Sequence, residues 1–117
     1  MSFVTGMLAA VPVASKQAFI DHARAAADVF REYGAVEVVE CWGVDIPDGK
    51  RTSMPMAVEK REDETVVLSW IVWPSREVAD AGMSRMMEDP RMTPETNPMP
   101  FDGSRMIFGG FDMVLKA

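Results

Sequence analysis

TVVLSWIVW, residues 65–73, is apolar on both side-chain parities: Val67, Ile71 and Trp73 on one, Val66, Leu68, Trp70 and Val72 on the other. Successive strand side chains point to opposite faces, so the stretch reads as a β-strand covered on both sides. Its density of β-branched and aromatic residues favours the same assignment. Three further stretches share the pattern: Phe3 to Val11, Ala35 to Val44 and Met106 to Leu115. Two helical segments separate them, giving the order strand, helix, strand, strand, helix, strand. Two helices cover one face of a four-stranded sheet. With no further segment predicted to cover the other, that face is expected to pack on a second copy of the same sheet.

The first helix is predicted from an N-cap at Ser15 to about Tyr33, with Gly34 as its stop. Phe19, Ala23, Ala26, Ala27 and Phe30 form its apolar stripe. The second is capped by Ser75, carries Glu77 in its first turn, and ends before Pro90. Between these, Asp48-Gly49 signals a turn, and Met54 to Lys60 are predicted as a short extended piece turning at residues 61–64 into the third strand. Residues 89–104 hold Pro90, Pro94, Pro98 and Pro100. A connection of this length is usually a functional loop or a disordered one, and Met92, Met99 and Phe101 predict that it packs on something. Gly109-Gly110 predicts a bulge or close backbone approach in the last strand, or room for a ligand.

The 117 residues are expected to form one domain, residues 1–117, able to bury ~65% of the unfolded surface. With 48% hydrophobic and 26% charged residues the composition is that of a globular chain. No apolar run reaches the ~20 residues of a membrane helix. The apolar N-terminus lacks a basic leader and reads as a first strand rather than a signal peptide. The lone Cys41 admits no intrachain disulfide, which suits a reducing cytoplasm. A net charge of −6 with scattered basic residues disfavours nucleic-acid binding.

Candidate chemistry rests on a few residues. His22 is the only histidine, which excludes a multi-histidine metal site. It lies at the edge of the first helix's stripe, either as a boundary residue bonded to water or a carbonyl, or as a general acid or base. An axial haem ligand is a third role, but nothing else marks a haem pocket. Glu40 interrupts an apolar strand and shares a face with Val38 and Trp42. Buried there, it needs a partner or a proton. It is therefore either a proton shuttle or half of an ion pair with Arg105 or Arg61; Glu37 and Asp112 are weaker cases of the same kind. Trp42 and Trp70 are candidates to line a pocket for a flat ligand, with core or interface packing as the alternative. Cys41 reads as an inert small hydrophobe. Nucleotide-loop, serine-nucleophile and zinc-helix motifs do not occur, so no metal or other cofactor is predicted.

VVECWG (residues 38–43), WPS (73–75), DPRM (89–92) and MPFDGSRMIFGGF (99–111) together resemble a small bacterial family of unknown function, the YbaA-like proteins. The resemblance runs over nearly the whole chain. It implies membership of the dimeric α/β barrels, ferredoxin-like subunits that pair through their sheets, in agreement with the burial pattern. That superfamily includes cofactor-free monooxygenases, haem-degrading enzymes and lactone isomerases, but the YbaA-like branch supplies no catalytic residues. Some of its members carry a label tied to signal-recognition-particle RNA, to which the acidic charge lends no support.

The expectation is thus an α+β, ferredoxin-like βαββαβ subunit with an antiparallel four-stranded sheet, two helices on one face, and a homodimer through the other. Its expected role is binding a small apolar or aromatic molecule between sheet and helices, near His22, Glu40, Trp42, Trp70 and Arg105. A cofactor-independent monooxygenase- or isomerase-like enzyme and a non-catalytic dimeric interaction module are the alternatives, the former resting on fold analogy.

Overall fold

A computed structural model describes residues 2–117. Four strands, β1 (Phe3–Pro12), β2 (Glu37–Trp42), β3 (Glu64–Trp73) and β4 (Ile107–Asp112), form one antiparallel sheet in the order β2-β3-β1-β4. The long helices α1 (Lys16–Glu32) and α3 (Arg76–Glu88) lie on one face of it, and α2 (Met54–Ala57) is a single turn between β2 and β3. The two long helices and four strands follow the βαββαβ order of a ferredoxin-like fold.

Register decides which residues meet. Thr5 faces Ile71, Ala9 faces Val67, and Val38 faces Ile71 in turn, so odd positions of β1 and β3 share the helix-covered face with even positions of β2. Onto that face α1 lays Phe19, Ala23, Ala26 and Val29, all buried. Phe19 and Ala23 join Ala9, Val11 and Val67 in one core cluster. A second cluster gathers Ala35, Ile71, Trp73 and Ala79, with α3 pressed against the Trp73 ring. Indole Nε1 of Trp73 donates to Thr5 Oγ1 at 3.1 Å, which satisfies its only polar atom inside the core.

The helix ends show why the segments stop where they do. Gly34 adopts φ 112°, a conformation open to glycine at little cost, and the Ala35 N–H folds back to the Phe30 carbonyl. Ser75 caps α3, accepting from the Val78 N–H at 3.2 Å. Ser15 occupies the N-cap position of α1, but its side chain makes no capping bond, because a 3-10 turn over Val13–Ser15 leads directly into the helix.

Three expectations change. Met54 to Lys60 do not form an extended piece: Met54–Ala57 is helical, with Ser53 Oγ accepting from the Met56 N–H at 3.1 Å and Pro55 in the first turn. The following Val58 is fully buried against Ala10 and Val66, so this segment covers one end of the second sheet face, which was expected to lack any cover from its own chain. Gly109-Gly110 form no bulge. They pair regularly with Gly6 and Thr5, and a Cβ on Gly110 would stand 2.5 Å from the Phe3 ring.

Beyond Val58 the second face lies open. Leu68, Ile107 and Phe111 are 40%, 43% and 58% exposed there, beside the half-buried Val4, Leu8 and Trp70. The paired Gly6 and Gly109 leave a shallow trough across β1 and β4, which Leu8, Leu68 and Ile107 border and over which the Phe111 ring leans, 3.2 Å from where a Gly6 Cβ would stand. Continuous apolar exposure of this kind marks a surface that meets something else.

Candidate functional site

A cavity of about 150 Å³ lies between α1 and the sheet. Met7 and Ala9 of β1 and Phe19, Ala23 and Ala26 of α1 form its apolar walls, and Met99 and Phe101 of the proline-rich connection roof it. Three residues with polar side chains line it: His22, Glu40 and Ser69. Apolar walls with a few placed polar groups are the usual makeup of a small-molecule site.

His22 projects from the stripe edge of α1 and is tied to the connection. Its Nδ1 lies 3.0 Å from Asn97 Oδ1, while Asn97 Nδ2 donates to the His22 backbone carbonyl at 3.2 Å and lies 3.7 Å from Met92 Sδ. Phe101 stands edge-on to the imidazole, with ring centres 6.2 Å apart. Residues 89–104 are therefore a packed roof with two 3-10 turns nearby, Pro90–Met92 and Gly103–Arg105.

Glu40 and Ser69 face each other across β2 and β3, and the Ser69 hydroxyl donates to Glu40 Oε2. The expected ion pair with Arg105 or Arg61 is corrected: register places a serine opposite the carboxylate. Loss of hydration beside α1 raises the Glu40 carboxyl above its ordinary value, and the Ser69 hydrogen bond opposes that rise. An acid raised in the folded state penalises folding once pH exceeds its ordinary value, and the penalty disappears at lower pH where both states are protonated. Because Glu40 is exposed on the edge strand β2 and solvent screens it, the effect is small: Glu40→Gln is expected to be slightly more stable than the parent at pH 8 and to match it near pH 4. A variant less stable than the parent at pH 8 would refute the assignment.

The other expected site residues separate. Trp42 packs beside the cavity, its ring centre 5.9 Å from that of Phe19, with the Lys16 ammonium 5.6 Å over its ring. Trp70 pairs with Gly6 and Val39 and so points to the open face, away from the side that His22, Glu40 and Trp42 share. Arg105 binds Glu64 through both terminal nitrogens, at 2.8 and 2.6 Å, and Asp102 through Nε at 3.0 Å, and does not line the cavity. Ser69, Asn97 and the roof aromatic Phe101 complete the site and were not singled out as site residues from sequence. Among the described residues, no group of three or more histidine, cysteine or acidic side chains is placed to hold a metal ion. No helix among them is long and apolar enough to cross a membrane.

A sheet of this order, with a small roofed cavity under one helix and an apolar second face, is an α+β, ferredoxin-like fold. The chain belongs to the DUF1428 family, proteins of unknown function, whose model matches residues 2–103. It is 50% identical over 115 residues to the uncharacterized protein YbaA of Escherichia coli strain K12, covering 98% of each chain. Identity and coverage are the same for the YbaA proteins of Escherichia coli O157:H7 and Shigella flexneri.

Proposed function

We propose that this protein binds a small aromatic molecule in the cavity between α1 and the sheet, and that it does so as a homodimer joined through the open sheet face. The observation that carries the binding reading is the roofed cavity itself. An apolar cavity of ~150 Å³ accepts a benzene-sized ring, and here the polar groups His22 and Glu40 reach the same space from different elements.

What supports the dimer is the apolar surface around Leu68, Ile107 and Phe111, continuous with the buried Val66 and Ala10. Burying such a surface against its symmetry mate removes apolar area from water at roughly 25 cal/mol per Å². Native mass spectrometry of freshly purified protein is expected to give twice the chain mass, with an additional small mass on each subunit. Leu68→Glu, which places a charge at the centre of that face, is expected to weaken dimerisation about a hundredfold or more. A parent protein that stays monomeric at millimolar concentration would sink the dimer. Aromatic fragments that leave every cavity resonance unmoved would sink the binding site.

A further inference from the structure

The hydrogen bonds of Asn97 settle which nitrogen of His22 carries the proton. Its amide nitrogen donates to the His22 carbonyl, an atom that only accepts, so the amide oxygen must be the atom turned toward His22 Nδ1. That oxygen also only accepts. His22 Nδ1 therefore carries the hydrogen, and in the neutral ring Nε2 is left with a lone pair. Among the described residues Nε2 has no hydrogen-bond partner. Ser69 spends its hydroxyl hydrogen on Glu40, which leaves the serine oxygen and the second carboxylate oxygen as acceptors too. The polar side chains that line the cavity all accept, and with Glu40 ionised none of them offers a free donor.

A ligand held there must bring the hydrogen itself. A carboxylate would meet the charge of Glu40, and a ketone would meet only acceptors. A ring ammonium would be drawn to the Glu40 carboxylate rather than to His22 Nε2, so benzylamine bound more tightly than phenol would overturn a hydroxyl ligand. A neutral ring hydroxyl meets none of these objections.

Resting on the cavity-binding reading above, we propose that the ligand is a small aromatic molecule bearing a ring hydroxyl, a phenol, whose O–H is donated to Nε2 of His22. Asn97 acts as a positioning residue: it holds the ring in the tautomer that can accept.

Titrations with phenol, toluene, benzoate and benzylamine at pH 8, followed by amide spectra of the cavity residues and by the nitrogen spectrum of the single histidine, test this. The parent is expected to show His22 protonated on Nδ1 alone, with Nε2 shifting on addition of phenol. The ratio of phenol to toluene affinity is expected to fall about tenfold in His22→Phe. Asn97→Leu is expected to move the proton to Nε2 and lower the ratio in the same way, with toluene binding kept. A parent His22 protonated on Nε2, a ratio unmoved by both variants, or benzoate bound more tightly than phenol would overturn the phenol assignment while the cavity reading stood. If none of the four molecules perturbs a cavity residue, the cavity reading falls and takes this inference with it.

Discussion

Trp73→Ala is expected to cost about 3–5 kcal/mol, the range for deleting a large aromatic side chain from a core, and so to lower the melting temperature by roughly 10–20 °C. The indole is fully buried, bonded to Thr5, and stands edge-on to Phe30 with ring centres 6.1 Å apart. Nothing nearby is free to collapse into the space, because β1 and α3 approach it as rigid elements. The tightness is testable from the other side of the contact. An added Cβ at Gly82 of α3 would stand 2.6 and 2.7 Å from Cζ3 and Cη2 of the indole. Alanine normally stabilises a helix interior by about 1 kcal/mol relative to glycine. Here Gly82→Ala is expected to destabilise by about 1–3 kcal/mol instead, through overpacking. In a Trp73→Phe background, whose smaller ring does not reach the helix backbone, the same change should become neutral or favourable. Urea melts of the four proteins give the coupling directly. A Gly82→Ala variant more stable than the parent would show that α3 does not rest on the ring.

Arg105→Met is expected to lower the melting temperature at pH 7 by on the order of 10 °C, since it leaves a buried carboxylate without its partner. The Glu64 side chain is only 4% exposed and that of Arg105 9%. Besides Arg105, the carboxylate accepts from the Arg61 N–H at 2.7 Å. Arg105 also donates to the carbonyl of Glu59, the one non-glycine residue with positive φ among those described. One guanidinium thus fastens the turn before β3 to the start of β4. The Arg105 hydrogen bonds, aided by that of Arg61 and opposed by burial, hold the Glu64 carboxyl at about 2, below its ordinary 4.5. A depressed carboxylate stabilises the fold fully above its ordinary value, and that contribution is lost as pH falls from about 4.5 toward about 2. The parent should therefore lose melting temperature across that interval. Arg105→Met should lose distinctly less, having little of the contribution left to lose. Equal slopes in the two proteins would refute the pairing.

Those two clusters also show how far the amino-acid order could be followed. All four strands are legible because apolar residues occur on both parities of each, with Val, Ile and Trp densest in β3. Their ends are not: Ala35 reads as strand, but its N–H is taken by α1, and β4 closes at Asp112 although Met113 to Leu115 remain apolar. The turn at Met54 was misread because four residues show no helical period. Ser53 followed by Pro55 was the signal available. The pairing of Glu40 with Val38 and Trp42 on one face followed from parity alone. Placing Trp70 did not, since which parity of β3 joins that face depends on a register set through 21 intervening residues, 43 to 63. Asn97 carried no signal at all. It lies in a proline-rich stretch 75 positions from its partner in sequence, and only the folded connection brings the two together.

Asn97 is followed by Pro98. Asparagine usually ages by deamidation, in which the next residue's backbone N–H attacks the side-chain amide and closes a five-membered ring. Proline has no such N–H. The amide that orients the imidazole is thereby spared the commonest route to aspartate, and old molecules should hold their histidine as newly made ones do.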